Sequence, residues 1–140
     1  MLETCPRCDV ELKTETVLAL SRMCCPSCRG QWFSHQQLAD LCDKMQFDMA
    51  TAFDLSKSVA TSTLACPTCG SPMGLLPLSR IELDLCRSHG VWFDAKELKK
   101  VLDKIAPDGT GLSRDGLDLI LDPVSSVLGR VLGAFVSRRK

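Results

Sequence analysis

The sequence predicts a small α+β protein made of two tandem metal-stabilised units, each a short antiparallel β unit followed by a helix, plus a C-terminal amphipathic helix. Three observations predict this fold class. The chain has nine cysteines in only 140 residues, a cysteine-rich stretch occurs twice, and a helical apolar pattern follows each copy. Units of about 40 to 60 residues rarely bury enough apolar surface to be stable alone. We therefore expect a cross-link inside each unit.

The cysteine-rich stretch occurs twice with the same spacing. Each copy begins with a Cys-Pro-x-Cys knuckle and continues through strand-like residues to a second pair of ligand-type side chains. The first copy supplies Cys5, Cys8, Cys25 and Cys28, and the second supplies Cys66, Cys69, Cys86 and His89, at a constant offset of 61. One residue is then lost, so that Trp32 corresponds to Trp92 at an offset of 60. This many coincident positions cannot arise by chance.

Each set of four side chains predicts a tetrahedral zinc site. The first site offers four sulfurs, and the second offers three sulfurs and one imidazole nitrogen, which Zn²⁺ accepts equally. Iron is the alternative for four thiolates, and the histidine of the second site argues against it. The odd cysteine count and the C-x2-C spacing favour metal over disulfides. We predict two Zn²⁺ ions per chain in closed, structural shells, each supporting the folding of its own repeat.

The segments around the knuckles carry signals for strands and helices. Ile81, Leu83 and Leu85 alternate with acidic residues, which predicts a half-buried strand leading into the second knuckle. A capping box marks each helix start, Ser34 with Gln37 and Asp94 with Glu97. The expected apolar helix stripes are Leu38, Leu41, Cys42 and Met45, and then Leu98, Val101, Leu102 and Ile105.

These signals divide the chain into four predicted segments. Residues 1–49 form the first unit, 50–63 a helical tail or linker, 64–106 the second unit, and 107–140 a loop with an amphipathic helix. The apolar face of that last helix covers 123–137 and is too short to span a bilayer. Its face could dock on the two units, a partner protein, a second copy of the chain or a membrane surface, and we favour protein packing.

Several side chains of chemical interest have simpler interpretations. We place Cys42 in the core, and we assign the ligand position to Cys25 rather than Cys24, which corresponds to the strand residue Leu85. We expect His35 to be a solvated surface residue. We assign the two Trp-Phe pairs to the small core beside each zinc, with base stacking as the alternative. These pairs are Trp32-Phe33 and Trp92-Phe93.

Composition limits the partners and the location. The chain has 17 basic and 17 acidic residues, so it lacks the broad positive field typical of nucleic-acid binding. Lysines on the second helix are interleaved with acidic residues, and we interpret them as a solvated face. No signal peptide or transmembrane segment is apparent, and free thiols suit a reducing compartment, so we expect a cytoplasmic protein.

The motifs resemble the bacterial family of transcription factor IIB-type zinc fingers. The family pattern is C-P-x-C, a strand, and then C-P-x-C-G-G-x-W-L/F-D-x-x-E-L. Two tandem copies are similar to it, over roughly 2–46 and 63–105, with His89 replacing the fourth cysteine of the second copy and Ser34 and Gln37 replacing the acidic pair of the first. The resemblance implies a zinc-ribbon fold for each copy, and the family name implies transcription.

These observations lead to one principal functional hypothesis and one alternative. The principal hypothesis is a non-enzymatic, zinc-stabilised adaptor that binds an unidentified protein, with a connection to transcription. The alternative is a nucleic-acid-binding regulator that uses the ribbon surface and the second helix. An enzyme is not expected, because no open metal shell, phosphate loop or nucleophile–base pair is apparent.

Overall fold

The computed structural model describes residues 3–46, 48, 53–58, 60–78 and 80–105. The first repeat contains strands β1 (Lys13–Val17), β2 (Leu20–Cys24) and β3 (Gln31–Ser34), followed by helix α1 (His35–Met45). A turn of 3-10 helix (Leu55–Lys57) precedes the second repeat. That repeat contains β4 (Ala60–Ala65), β5 (Pro72–Leu78), β6 (Ile81–Cys86) and β7 (Gly90–Phe93), followed by α2 (Glu97–Ile105).

All seven strands belong to one antiparallel sheet, in the order β1-β2-β3-β7-β6-β5-β4. The two repeats meet where β3 pairs with β7. Trp32 lies opposite Trp92, and Phe33 lies opposite Val91. Because Trp32 and Trp92 are equivalent positions of the repeat, the pairing is related by an approximate two-fold axis, as in a symmetric dimer. The tandem units are therefore halves of one sheet, an arrangement that the sequence analysis did not predict.

The β3–β7 junction follows from the side chains of these strands. Each carries Trp on one face and Phe on the other, and all four aromatics are at most 1% exposed. A short edge strand with two apolar faces would expose both of them and its backbone hydrogen-bonding groups. Pairing the two strands places both in the middle of the sheet and removes this exposure.

Both faces of the sheet are covered, by different groups. Helices α1 and α2 cover one face, where Phe33 and Phe93 pack edge to face with ring centroids 5.5 Å apart. The knuckle cysteines, Trp32 and Trp92 pack on the other face. The expectation that each Trp-Phe pair forms one core beside a zinc is thus wrong for Phe33 and Phe93. Alternation along a strand places neighbouring side chains on opposite faces.

The helices agree with the predicted apolar stripes. Leu38, Leu41, Cys42 and Met45 are buried on α1, and Leu98, Val101 and Leu102 are buried on α2. Residues 60–63, which the sequence analysis assigned to the linker, belong instead to β4. The strand signal there was weak, because Ala, Thr and Ser carry little apolar periodicity. The predicted loop and amphipathic helix over 107–140, with its apolar face at 123–137, lie outside the described residues.

Candidate metal centres

Each Cys-Pro-x-Cys knuckle is a tight turn closed on the sulfur of its first cysteine. The backbone N–H groups of Arg7 and Cys8 donate to Sγ of Cys5 at 3.4 and 3.3 Å. Those of Ser27 and Cys28 both donate to Sγ of Cys25 at 3.4 Å. These bonds orient the sulfurs toward a common point and favour the thiolate form.

The residue after each of three knuckles adopts a left-handed conformation. Asp9, Arg29 and Gly70 have φ values of 59°, 65° and 78°. Each donates its N–H to the carbonyl of the first cysteine of its knuckle, at 2.8 to 2.9 Å. The fourth knuckle, Cys86–His89, has no such residue, since Gly90 already belongs to β7. The residue lost between the repeats is therefore the counterpart of Arg29.

The first metal centre consists of Cys5, Cys8, Cys25 and Cys28, whose sulfurs all lie within 4.8 Å of one another. Sγ of Cys5 and Sγ of Cys28 are 3.7 Å apart. A tetrahedral zinc ion with Zn–S bonds of about 2.3 Å requires sulfur–sulfur separations of about 3.8 Å. The geometry of the four sulfurs fits zinc.

The second metal centre consists of Cys66, Cys69, Cys86 and His89, again within 4.8 Å of one another. Nδ1 of His89 lies 3.4 Å from Sγ of Cys86 and 3.8 Å from Sγ of Cys66. Tetrahedral zinc bonded to sulfur and imidazole nitrogen requires about 3.6 Å between them. The Cys69 and Cys86 sulfurs are 3.9 Å apart, also as zinc requires. The protein binds two Zn²⁺ ions, one at each centre.

The protonation of the ligand thiols links metal binding to pH. Burial raises the pKa of Cys5 and raises that of Cys66 to about 12. At the exposed Cys69, the backbone N–H and the hydroxyl of Ser71 lower the pKa to about 6. A metal ion must displace protons from the buried thiols, so zinc is released on acidification. Bound zinc offsets part of the thiolate charge and links the two knuckles of its centre.

The remaining candidate residues occupy varied environments. All nine cysteines lie in the described part of the chain and none forms a disulfide. Cys24 and Cys42 are buried away from the ligand sets, as predicted. His35 is half-buried rather than solvated, and its ring contacts the second repeat. Sequence reasoning missed this contact because the repeat aligns His35 with Ala95, which carries no polar signal.

Asp94 makes only one of the two hydrogen bonds that the predicted capping box requires. Its backbone N–H donates to Oε1 of Glu97 at 2.8 Å, as in a capping box. Its carboxylate, however, accepts bonds from Arg7 of the first knuckle and from Nε1 of Trp92, the latter at 2.9 Å. The helix begins only at Glu97, after Lys96 in a left-handed conformation. The Asp94 side chain thus connects the repeats instead of capping α2.

A cleft of about 430 Å³ separates the first knuckles of the two centres. Its walls include equivalent pairs from the two repeats, such as Pro6 with Pro67 and Cys5 with Cys66. Both centres therefore lie on one face of the sheet, close to the approximate two-fold axis.

The fold and the two ligand sets define a protein with two zinc ribbons. The family of transcription factor zinc-fingers, whose model is a zinc ribbon of the TFIIB type, matches residues 4–44 and 65–104. These regions cover more than half of the 140 residues, and the chain belongs to this family. The comparison with curated proteins returned no match, and neither did the comparison with solved structures.

Proposed function

We propose that the protein is a non-enzymatic adaptor that uses its zinc ions for structure and binds another protein through its outer surface. The observation that carries the proposal is the burial of the aromatic residues. Trp32, Phe33, Trp92 and Phe93 are at most 1% exposed. They are therefore not available as platforms for stacked bases, which proteins that bind single-stranded nucleic acid commonly use.

The ligand sets favour a structural role for zinc. Each centre has four protein ligands of the types that structural zinc sites use, whereas a catalytic site keeps one position open for water or substrate. Catalysis at either centre would require loss of a ligand. This supports a binding function rather than an enzymatic one.

The tip of the β1–β2 hairpin is the described surface best suited to contact a protein. The two-residue turn consists of Leu18 and Ala19, with φ values of 54° and 65°. Such turns strongly prefer Asn-Gly, because a left-handed conformation costs about 1–2 kcal/mol for an ordinary residue. Leu18 is also 40% exposed. Backbone strain together with an exposed apolar side chain favours a contact at this tip.

The experiment is affinity capture with the zinc-loaded chain, followed by crosslinking to locate the contact. Leu18→Asn should lose a specific partner while folding normally, since Asn tolerates the left-handed conformation. Thr61→Asn, at an exposed position of β4, is the control and should retain the partner. Removal of residues 112–140 tests whether the tail contributes. Retention of every captured protein by Leu18→Asn would refute a role for the hairpin tip.

The alternative is a nucleic-acid-binding regulator, and two observations favour it. Arg87, Lys96 and Lys100 are exposed on or near α2, and the family name refers to transcription. The alternative requires binding that strengthens steeply as salt falls, because phosphate contacts release counterions. Titration of DNA and RNA across a salt series separates the two hypotheses. Binding that disappears in Arg87→Ala/Lys100→Ala would favour the regulator.

Within the described residues, no helix is long and apolar enough to cross a membrane. The cytoplasmic location and self-association through 123–137 remain predictions.

A further inference from the structure

Each zinc centre is held in place by side chains of the other repeat. We infer that Asp94 and Trp92 of the second repeat position the first centre, that His35 and Glu3 of the first repeat position the second centre, and that the two ions consequently bind cooperatively. All four knuckles have such a contact within the knuckle or just after it, and each contact joins one repeat to the other.

The first centre contacts residues at the end of β7 in the second repeat. Arg7, inside the Cys5–Cys8 knuckle, binds both carboxylate oxygens of Asp94, with Nη2 to Oδ2 at 2.7 Å. Asp94 is itself oriented by Nε1 of Trp92. Gly30 lies two residues after the other knuckle of this centre, and a Cβ added there would overlap the Trp92 ring. The first knuckle of this centre therefore contacts Asp94, and the residue that packs on Trp92 lies just after the second knuckle.

The second centre is held by residues near the two ends of the first ribbon. The His35 backbone N–H donates to the His89 carbonyl at 3.0 Å, and its Nε2 bonds to the Arg87 carbonyl at 2.8 Å. A carbonyl partner requires the proton on Nε2. At the first knuckle of this centre, the Thr68 hydroxyl donates to Oε2 of Glu3 at 2.7 Å. Both knuckles of the second centre therefore contact the first repeat.

These contacts have a thermodynamic consequence. A knuckle that must be ordered before it binds metal lowers the apparent affinity, and a group that orders it in advance raises the affinity. Here the residues that order the first centre belong to the second repeat. The residues that order the second centre belong to the first repeat. Zinc at one centre therefore favours the conformation that binds zinc at the other, which is positive coupling between the sites.

The test changes a residue in one repeat and measures metal binding at the centre of the other repeat. Co²⁺ replaces zinc in the full-length chain, and the four-sulfur and three-sulfur–one-nitrogen centres are distinguished by their visible absorption bands. Asp94→Asn keeps an acceptor for Trp92 but removes the charge that binds Arg7. We expect it to weaken the first centre about tenfold, as loss of an outer-shell partner typically does, and to weaken the second centre by a smaller factor, transmitted by the coupling.

The reciprocal variant is His35→Ala, which should weaken the second centre about tenfold and the first centre by a smaller factor. His35→Gln should restore binding, because its side-chain amide N–H can occupy the position of Nε2. Asp103→Asn and Gln36→Ala alter exposed side chains of α2 and α1 and serve as controls. A general loss of stability would weaken both centres alike in both variants, and that result would overturn the inference.

Cooperativity has its own measurement. During zinc titration of the metal-free chain, native mass spectrometry should find less of the one-zinc species than independent sites would produce. A statistical distribution of the zero-, one- and two-zinc species would refute the coupling. If the double variant Asp94→Asn/His35→Ala forms as much one-zinc species as independent sites would, the coupling is carried by the contacts of Asp94 and His35.

Discussion

At the scale of single residues, the ring of Trp92 leaves no room for a side chain at position 30. A Cβ added to Gly30 would overlap Cζ2 of this fully buried ring. Gly30→Ala should therefore lower the free energy of unfolding by about 1–3 kcal/mol, the usual cost of overpacking. Urea denaturation of the zinc-loaded protein measures this change. In the double variant Gly30→Ala/Trp92→Leu, the leucine leaves room for the added Cβ. The loss in the free energy of unfolding should therefore be smaller than the sum of the losses in the two single variants. Strict additivity would contradict the packing explanation.

Cys42 shows how an environment suppresses thiol chemistry. Burial, with the charges of Asp43 and Asp48, raises its pKa to about 12. Only about one molecule in ten thousand is then thiolate at pH 8, and thiolate is the reactive form. We expect Cys42 to resist iodoacetamide in the zinc-loaded protein and to react in denaturant, as read by peptide mass spectrometry. Stoichiometric modification of the folded protein would contradict its burial.

The same raised pKa predicts a pH dependence of stability. The folded state favours the neutral thiol, so the contribution of Cys42 is fully present below about pH 9 and is lost as pH rises toward 12. The free energy of unfolding should fall less steeply over this range in Cys42→Ala than in the wild type. Equal slopes would mean that Cys42 titrates alike in both states.

At the scale of elements, the two hairpins differ in one facing pair of residues, which is charged between β1 and β2 and apolar between β5 and β6. Glu15 and Arg22 face each other across β1 and β2, and Arg22 is completely buried. The corresponding positions of the second repeat are Leu76 and Leu83, which also face each other. Burial lowers the pKa of Arg22, which reflects the cost of placing its charge in the interior.

The second repeat thus shows which apolar residues occupy the equivalent positions. Glu15→Leu/Arg22→Leu should be neutral or raise the free energy of unfolding by about 1–4 kcal/mol, because well-packed apolar residues often stabilise more than charged side chains placed in the interior. Glu15→Leu alone should destabilise, since it leaves the Arg22 charge without its facing carboxylate. Thermal unfolding of the three proteins measures the difference. A double variant less stable than Glu15→Leu would contradict this account.

At the scale of the whole molecule, one sheet joins the two repeats. The repeat pattern predicts that each zinc supports the folding of its own repeat, but β3 pairs with β7 along four residues of each strand. Cys69→Ser should therefore unfold both repeats, lowering zinc content below about one ion per chain. Metal analysis and amide exchange of β2 and β3 measure this effect, with Cys42→Ser as the non-ligand control. Protected β2 and β3 amides in Cys69→Ser would contradict a single cooperative unit.

Much of the molecule follows from local patterns. The two ligand sets, both helices with their apolar stripes, and the strand Ile81–Cys86 could be predicted because ligand spacing and periodicity are properties of short segments. Asp84 marks the limit of such patterns, because it was expected to face solvent and is only 5% exposed. Alternation predicts the buried face of a strand, whereas here the other face is covered as well. Asp84 lies opposite Trp92 of β7, and Ser62 of β4, two strands away, donates to it.

The sequence by itself determined the repeat, the eight ligands and the ribbon architecture of each copy, since a metal site requires fixed residue types at fixed spacing. Only the tertiary structure decided that β3 and β7 pair, that His35 and Asp94 reach the opposite repeat, and that one cleft lies between the centres. The physical reason is that these contacts join residues as many as 87 positions apart. Their partners are set by the packing of two apolar strand faces, and no spacing within either copy records that packing.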